Sequence, residues 1–185
     1  PRASRMRDRR PPNVSESGSP GHAEVAFIGR HFGLTRVRGR FRDIHGVVQV
    51  DDVVEHSTIE VTIDMASVES GSKDRDEHLR SGDLFDIAAH PTATFRSTAI
   101  AVTGAQDGHI DGELTIKGVT RPVRLDVELL GQVTDPWGGE RAVFSASTAI
   151  NREDFGVSWN MPLDAGRLLV SREIRIEIDV ELVRQ

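Results

Sequence analysis

Arg75, Asp76 and His78 sit almost side by side, and a carboxylate near an imidazole is a pairing by which a side chain can orient a general base. Catalysis would need a third party. The chain offers no nucleophile elbow, phosphate-cradling glycine loop or paired-histidine metal motif near them. The histidines at 22, 31, 45, 56, 78, 90 and 109 are scattered, with no two at ligand spacing on one element, so no metal site is expected. With no cysteine there is no thiol nucleophile, disulfide or thiolate ligand. The preferred reading is structural. Arg75 and Asp76 fix a short helix through ion pairs and backbone hydrogen bonds, while His78 can face a polar ligand head. Asp74 is the expected cap of that helix, with Glu77 at its third position and Leu79 as its apolar anchor. Arg152 and Asp154 flank Phe155-Gly156 and are expected to form an ion pair that shapes the turn. His31, at a strand end, reads as a structural histidine or a head-group contact.

The elements that must position these groups are strands. From Thr58 to Met65 the apolar Ile59, Val61, Ile63 and Met65 alternate with polar residues, the period of a strand with one buried face. Ile174, Ile176, Ile178, Val180 and Leu182 repeat that pattern near the end of the chain. Eight such runs are expected: Glu24–Arg30, Val37–Val50, Thr58–Met65, Ala93–Val102, His109–Lys117, Arg121–Leu130, Arg141–Asn151 and Leu168–Leu182. Asp107-Gly108, Lys117-Gly118 and Asp135 to Gly139 are the expected turns between them. Short connections favour antiparallel neighbours, and a long twisted sheet must close or leave an aggregating edge. The fold class is therefore all-β: an extended antiparallel β-barrel of about eight strands, with a short helical segment capping one end. A barrel of that size can be filled by its own side chains or can hold one ligand. Phe27, Ile63, Phe95, Phe144 and Ile176 fall on the apolar phase and are the expected wall, with Val143 competing for the place of Phe144. Trp159 is expected at the cavity mouth.

A chain of 185 residues suits one domain. Residues 1–21, rich in Arg, Ser and Pro, read as a flexible basic tail, and residues 22–185 as the barrel. The balance of 29 acidic against 23 basic residues argues against a nucleic-acid partner, and an aromatic content of 5% argues against base stacking. No segment has the apolar length for stable membrane insertion, and the tail lacks the apolar centre of a signal peptide. A cytoplasmic location is expected, or a periplasmic or secreted one if a leader was removed.

Six segments in order resemble the YceI-like family of lipid-binding barrels: Phe27-Ile28-Gly29-Arg30-His31, Val37-Arg38-Gly39-Arg40-Phe41, Arg75-Asp76-Glu77-His78-Leu79, Pro91-Thr92-Ala93-Thr94-Phe95, the run from Gly112 to Thr120, and Asn151-Arg152-Glu153-Asp154-Phe155-Gly156. The resemblance spans about Glu24 to Leu182. It implies a lipocalin-like barrel that binds long apolar molecules such as polyisoprenoids or fatty amides, and a homodimer. The expected function is non-enzymatic binding, transport or storage of an isoprenoid or fatty-acyl ligand, with no cofactor beyond that lipid. The expected ligand contacts are Phe27, Ile63, His78, Leu79, Phe85, Phe95, Phe144, Trp159 and Ile176. Two other readings compete: an isomerase or cyclase using His78 and Asp76 as acid and base, and an interaction module with a filled barrel.

Overall fold

The computed structural model describes residues 15–16, 23–163 and 168–183. Antiparallel segments make one sheet: β1 (Ser15–Glu16), β2 (Ala23–His31), β3 (Thr35–Phe41), β4 (Ile44–Gln49), β5 (Thr58–Asp64), β6 (Val68–Glu69), β7 (Thr92–Val102), β8 (Asp107–Ile116), β9 (Val119–Thr134), β10 (Glu140–Asn151) and β11 (Glu173–Val183). The helix α1 (Lys73–Arg80) follows β6. From β7 to β10 each strand pairs with the next through a short hairpin, and β11 pairs with β10 after the longer connection of residues 152–172. β11 then pairs with β2, which brings the first long strand beside the last.

Closure comes from a single change of partner. β3 pairs with β2, whereas β4, only two residues further along the same line, pairs with β5. β6 continues β5 past the break and pairs with β3, so the two halves of the long strand stay covered on that side. On the other side, β1 lies on β4 as β2 lies on β3. With β3/β4 and β5/β6 each counted as one strand, these two, β2 and the five others give the eight of a small closed barrel. The expected strand Val37–Val50 is thus broken at Arg42-Asp43. The backbone N–H groups of both donate to Ser67 Oγ, at 3.2 and 3.1 Å, in place of ladder partners.

Other expectations are corrected. Asp107-Gly108 is strand, not turn: a Cβ on Gly108 would stand 2.6 Å from the Ala101 carbonyl, and the bend lies at residues 103–106, where Thr103 N donates to Asp107 O. The last strand starts at Glu173 rather than Leu168, since residues 168–172 make isolated bridges and loop contacts instead. Ser72, not Asp74, caps α1, its hydroxyl accepting from Arg75 N at 3.4 Å. Lys117-Gly118 does turn, with both residues at positive φ, as a two-residue hairpin demands. The proposed tail, residues 1–21, lies outside the described residues apart from the backbone of 15–16.

The buried core gathers at the helix end. Phe41, Met65, Val68 and Ala93 form one cluster, with Phe85 packed on it. Leu84, Leu114, Phe155 and Val157 form the other, with Leu79 and Trp159 beside them. The turn after α1 therefore works as a plug.

Candidate functional site

Inside the barrel is a cavity of about 1640 Å³, larger than the roughly 300–1,000 Å³ of an ordinary small-molecule site. Strand alternation produces its apolar wall, because every second residue points inward. β5 contributes Ile59, Val61 and Ile63; β9 contributes Val123, Leu125, Val127 and Leu129; and β11 contributes Ile174, Ile176, Ile178, Val180 and Leu182. All nine residues named from the sequence line it: Phe27, Ile63, His78, Leu79, Phe85, Phe95, Phe144, Trp159 and Ile176. β10 alternates without interruption, so Phe144 faces inward with Ala142, Ala146 and Thr148 and Val143 does not; the bulge opposite Val143 and Phe144 takes its extra residue, Leu130, from β9. Trp159 is not at the mouth but beside α1, its ring edge-to-face with His78 at 4.4 Å.

Two aromatic rings lie over glycines of the neighbouring strand, which keeps them against the wall. A Cβ on Gly39 would come 2.2 Å from the Phe27 ring, and one on Gly112 would come 2.4 Å from the Phe95 ring. Only hydrogen fits there. The rings so parked leave the centre of the barrel open. Phe85 closes it below, at 6.3 Å from the Phe27 ring and 5.9 Å from that of Phe41.

The polar groups divide into fasteners and cavity groups. Arg152 is buried, and its guanidinium donates to the carbonyls of Ser171, Val157, Trp159 and Val170, the closest at 2.6 Å. No bond to Asp154 forms, so the expected ion pair is replaced by a carbonyl cage. Burial pushes the Arg152 pKa down, although four acceptors compensate the charge. The helix is tied by Arg80, which donates to Ala66 O at 3.0 Å and Val68 O at 2.9 Å, not by Arg75. Asp76 serves as expected in fixing the helix, but by accepting from Ser70 N and Ser70 Oγ at 2.8 and 2.6 Å, with no basic partner among the described residues. It is therefore not the partner of His78. Asp83 is, with 3.1 Å between its carboxylate and His78 Nε2.

Arg75, His31 and His78 line the cavity at this end. Burial, and then the charge of Arg75, push the His31 imidazole toward neutrality. Neither Arg75 nor the cage role of Arg152 was legible from local pattern, since each depends on what lies across the barrel. Leu84, buried in the plug, was missed as well; its only local signal is an apolar residue beside Phe85.

An antiparallel barrel with one capped end and a large apolar interior belongs to the ligand-enclosing class of β-barrels. The particular family follows from likeness across nearly the whole chain. Residues 18–182 match the YceI-like domain, and the chain belongs to that family. Protein YceI of Escherichia coli O17:K52:H18 is 41% identical over 165 residues, covering 89% of this chain and 83% of the relative. A UPF0312 protein of Azotobacter vinelandii is 41% identical over the same shares. Among solved structures, Burkholderia cenocepacia BcnA superposes with a TM-score of 0.75 at 26% identity, covering 86% of this chain and 95% of that one. A polyisoprenoid-binding domain from Saccharophagus degradans, implicated in plant cell wall breakdown, shares the fold at a TM-score of 0.64 and 16% identity over 90% of this chain and 97% of that one. Among the described residues no helix is long and apolar enough to cross a membrane.

Proposed function

We propose that this protein binds a long apolar molecule, of isoprenoid or fatty-acyl type, inside the barrel, and carries or stores it without chemical change. The observation that carries this reading is the size and lining of the cavity, whose wall is mainly aliphatic and aromatic, with polar and charged groups such as His31 and Arg75 at the helix end and Asp107, Gln132 and Arg141 at the other. The barrel shared with a polyisoprenoid-binding domain supports it. At about 0.8 kcal/mol per buried methylene, a dozen chain carbons contribute roughly 10 kcal/mol gross, and about sixteen, at roughly 13 kcal/mol, suffice for micromolar binding after an association cost of about 4 kcal/mol. The nine wall and plug residues named above would make the contacts. The expected homodimer is a separate matter, checked by sedimentation velocity.

An enzymatic reading keeps one specific observation: His78 reaches the cavity with Asp83 on its Nε2. Native mass spectrometry of the purified protein, followed by solvent extraction, tests both readings. Carriage predicts an apolar adduct that comes off chemically intact. Protein that is uniformly empty and takes up no prenyl or fatty-acyl compound contradicts carriage, and a bound compound converted to product favours the enzyme.

A further inference from the structure

Among the described residues five arginines are at least partly buried, and four have acceptors. Arg40 meets Glu69, Arg80 two backbone carbonyls, Arg141 Asp135 and Glu181, and Arg152 its carbonyl cage. Arg75 is the exception. It is half-buried on α1, its side chain lines the apolar cavity, and among the described residues its guanidinium has neither a carboxylate nor a carbonyl partner. A cation partly removed from water and left unpaired is costly, so a site that keeps one is a site short of an anion.

The surroundings fit an anion and little else. Asp76, next to Arg75 in sequence, is occupied by Ser70. His31 projects into the same cavity from the end of β2, half-buried, with the charge of Arg75 acting on its ring. A neutral imidazole can donate one N–H to an oxyanion without adding a second buried charge. A guanidinium presents paired N–H groups that match a carboxylate or a phosphate. Apolar wall begins immediately beyond, with Phe27 and Leu79.

We propose that Arg75 and His31 form an anion site at the helix end of the cavity, so that the ligand is a long apolar chain ending in a carboxylate or a phosphate, lying with that end against α1. This rests on the reading of the barrel as a carrier of apolar molecules and narrows it to acidic lipids. The chain fills the wall formed by Ile63, Phe95 and Ile176, and the end group supplies the acceptor that Arg75 lacks among the described residues.

Two matched pairs of probes separate the end group from the chain: farnesyl phosphate against farnesol, and palmitate against hexadecanol. Displacement of neutral Nile red from the full chain reads their affinities. The wild-type protein should prefer at least one acidic member by about tenfold or more over its alcohol, a factor that corresponds to about 1.4 kcal/mol. Preference for farnesyl phosphate alone identifies a phosphate end group, and preference for palmitate alone a carboxylate. Arg75→Gln should bring the ratio close to one while leaving the affinity for the alcohols unchanged, and Arg75→Lys should restore part of it. Equal binding of acids and alcohols by the wild type overturns the anion site and leaves the apolar carrier standing. Loss of alcohol binding in Arg75→Gln along with acid binding also overturns it, by showing that Arg75 shapes the cavity instead. Failure of all four probes overturns the carrier reading, and the anion site with it.

Discussion

The two ends of the barrel are built on opposite principles. At the helix end Leu84, Phe155 and Val157 are buried, Phe85 packs against two other rings, and Arg152 draws four carbonyls from the chain between 157 and 171 around one guanidinium. At the far end the cavity runs out to strand ends and turns, with Val50, Asp51, Gly104, Gln106 and Thr134 on its margin. Val53, Val54, Val102 and Val133 are about half exposed there, and Trp137 is 85% exposed at the β9–β10 turn. Both ends leave some apolar residues in water, Phe32 and Leu34 in the β2–β3 turn of the helix end included, but only the helix end closes over a buried cluster. The proposed carriage has a ligand enter between the hairpin tips and stop at the plug.

The largest effect should come from Arg152→Met. Removing the guanidinium strands carbonyls inside the protein, at about 1–3 kcal/mol for each acceptor that finds no water, so a loss of about 3–5 kcal/mol in urea unfolding is expected. A loss under about 1 kcal/mol would show that the cage does not hold the closed end. Phe85→Ala comes next, at about 3 kcal/mol, with most of the cost from the cavity left against Phe27 and Phe41. Gly39→Ala should cost about 1–3 kcal/mol and reduce Nile red uptake, because the Phe27 ring must swing from the wall into the ligand space. Trp137→Ser, at the other end, should move stability by less than about 0.5 kcal/mol. An equal cost for Trp137→Ser and Phe85→Ala would erase the distinction between the ends.

Acid should act on the two ends in different ranges. At the helix end the folded state holds the His31 pKa below its ordinary 6.5, so the unfolded chain takes up the proton first and stability falls as pH drops beneath 6.5. At the far end the Gly139 N–H, then the Arg141 guanidinium, hold Asp135 below its ordinary 3.8. Its stabilisation is present above 3.8 and is lost as pH falls through the lower folded value. Imidazole and carboxylate shifts followed by NMR check both signs. A His31 that titrates above 6.5 contradicts the first, and an Asp135 that titrates above 3.8 the second.

Much of this contrast was readable in the chain, and the missing part has a common cause. Alternation in β5 and β11 is local, so their buried faces, the eight-strand total and Phe27, Ile63, Phe95 and Ile176 as wall could be read directly. The break at Arg42-Asp43 could not, since it depends on a hydroxyl at Ser67 and on a change of partner between strands. The roles of Arg75 and Arg152 were misassigned, and that of Arg80 was missed, for the same reason. A charged residue in a short motif shows what it can bond, while the fold decides whether a carboxylate, a carbonyl or an open cavity lies opposite. Ser72 was passed over as a cap because Asp74 and Glu77 looked like a complete start; the helix begins two residues earlier.

The central claim is that the interior is space for a ligand and not a packed core, and Ile63→Trp tests it most directly. Ile63 lines the cavity beside the helix-end cluster, where a larger side chain has room to project inward. Nile red titration and thermal melting of the same sample should show uptake reduced by about tenfold or more, with stability changed by less than about 1 kcal/mol. Unchanged uptake together with an overpacking loss of about 1–3 kcal/mol would contradict the account.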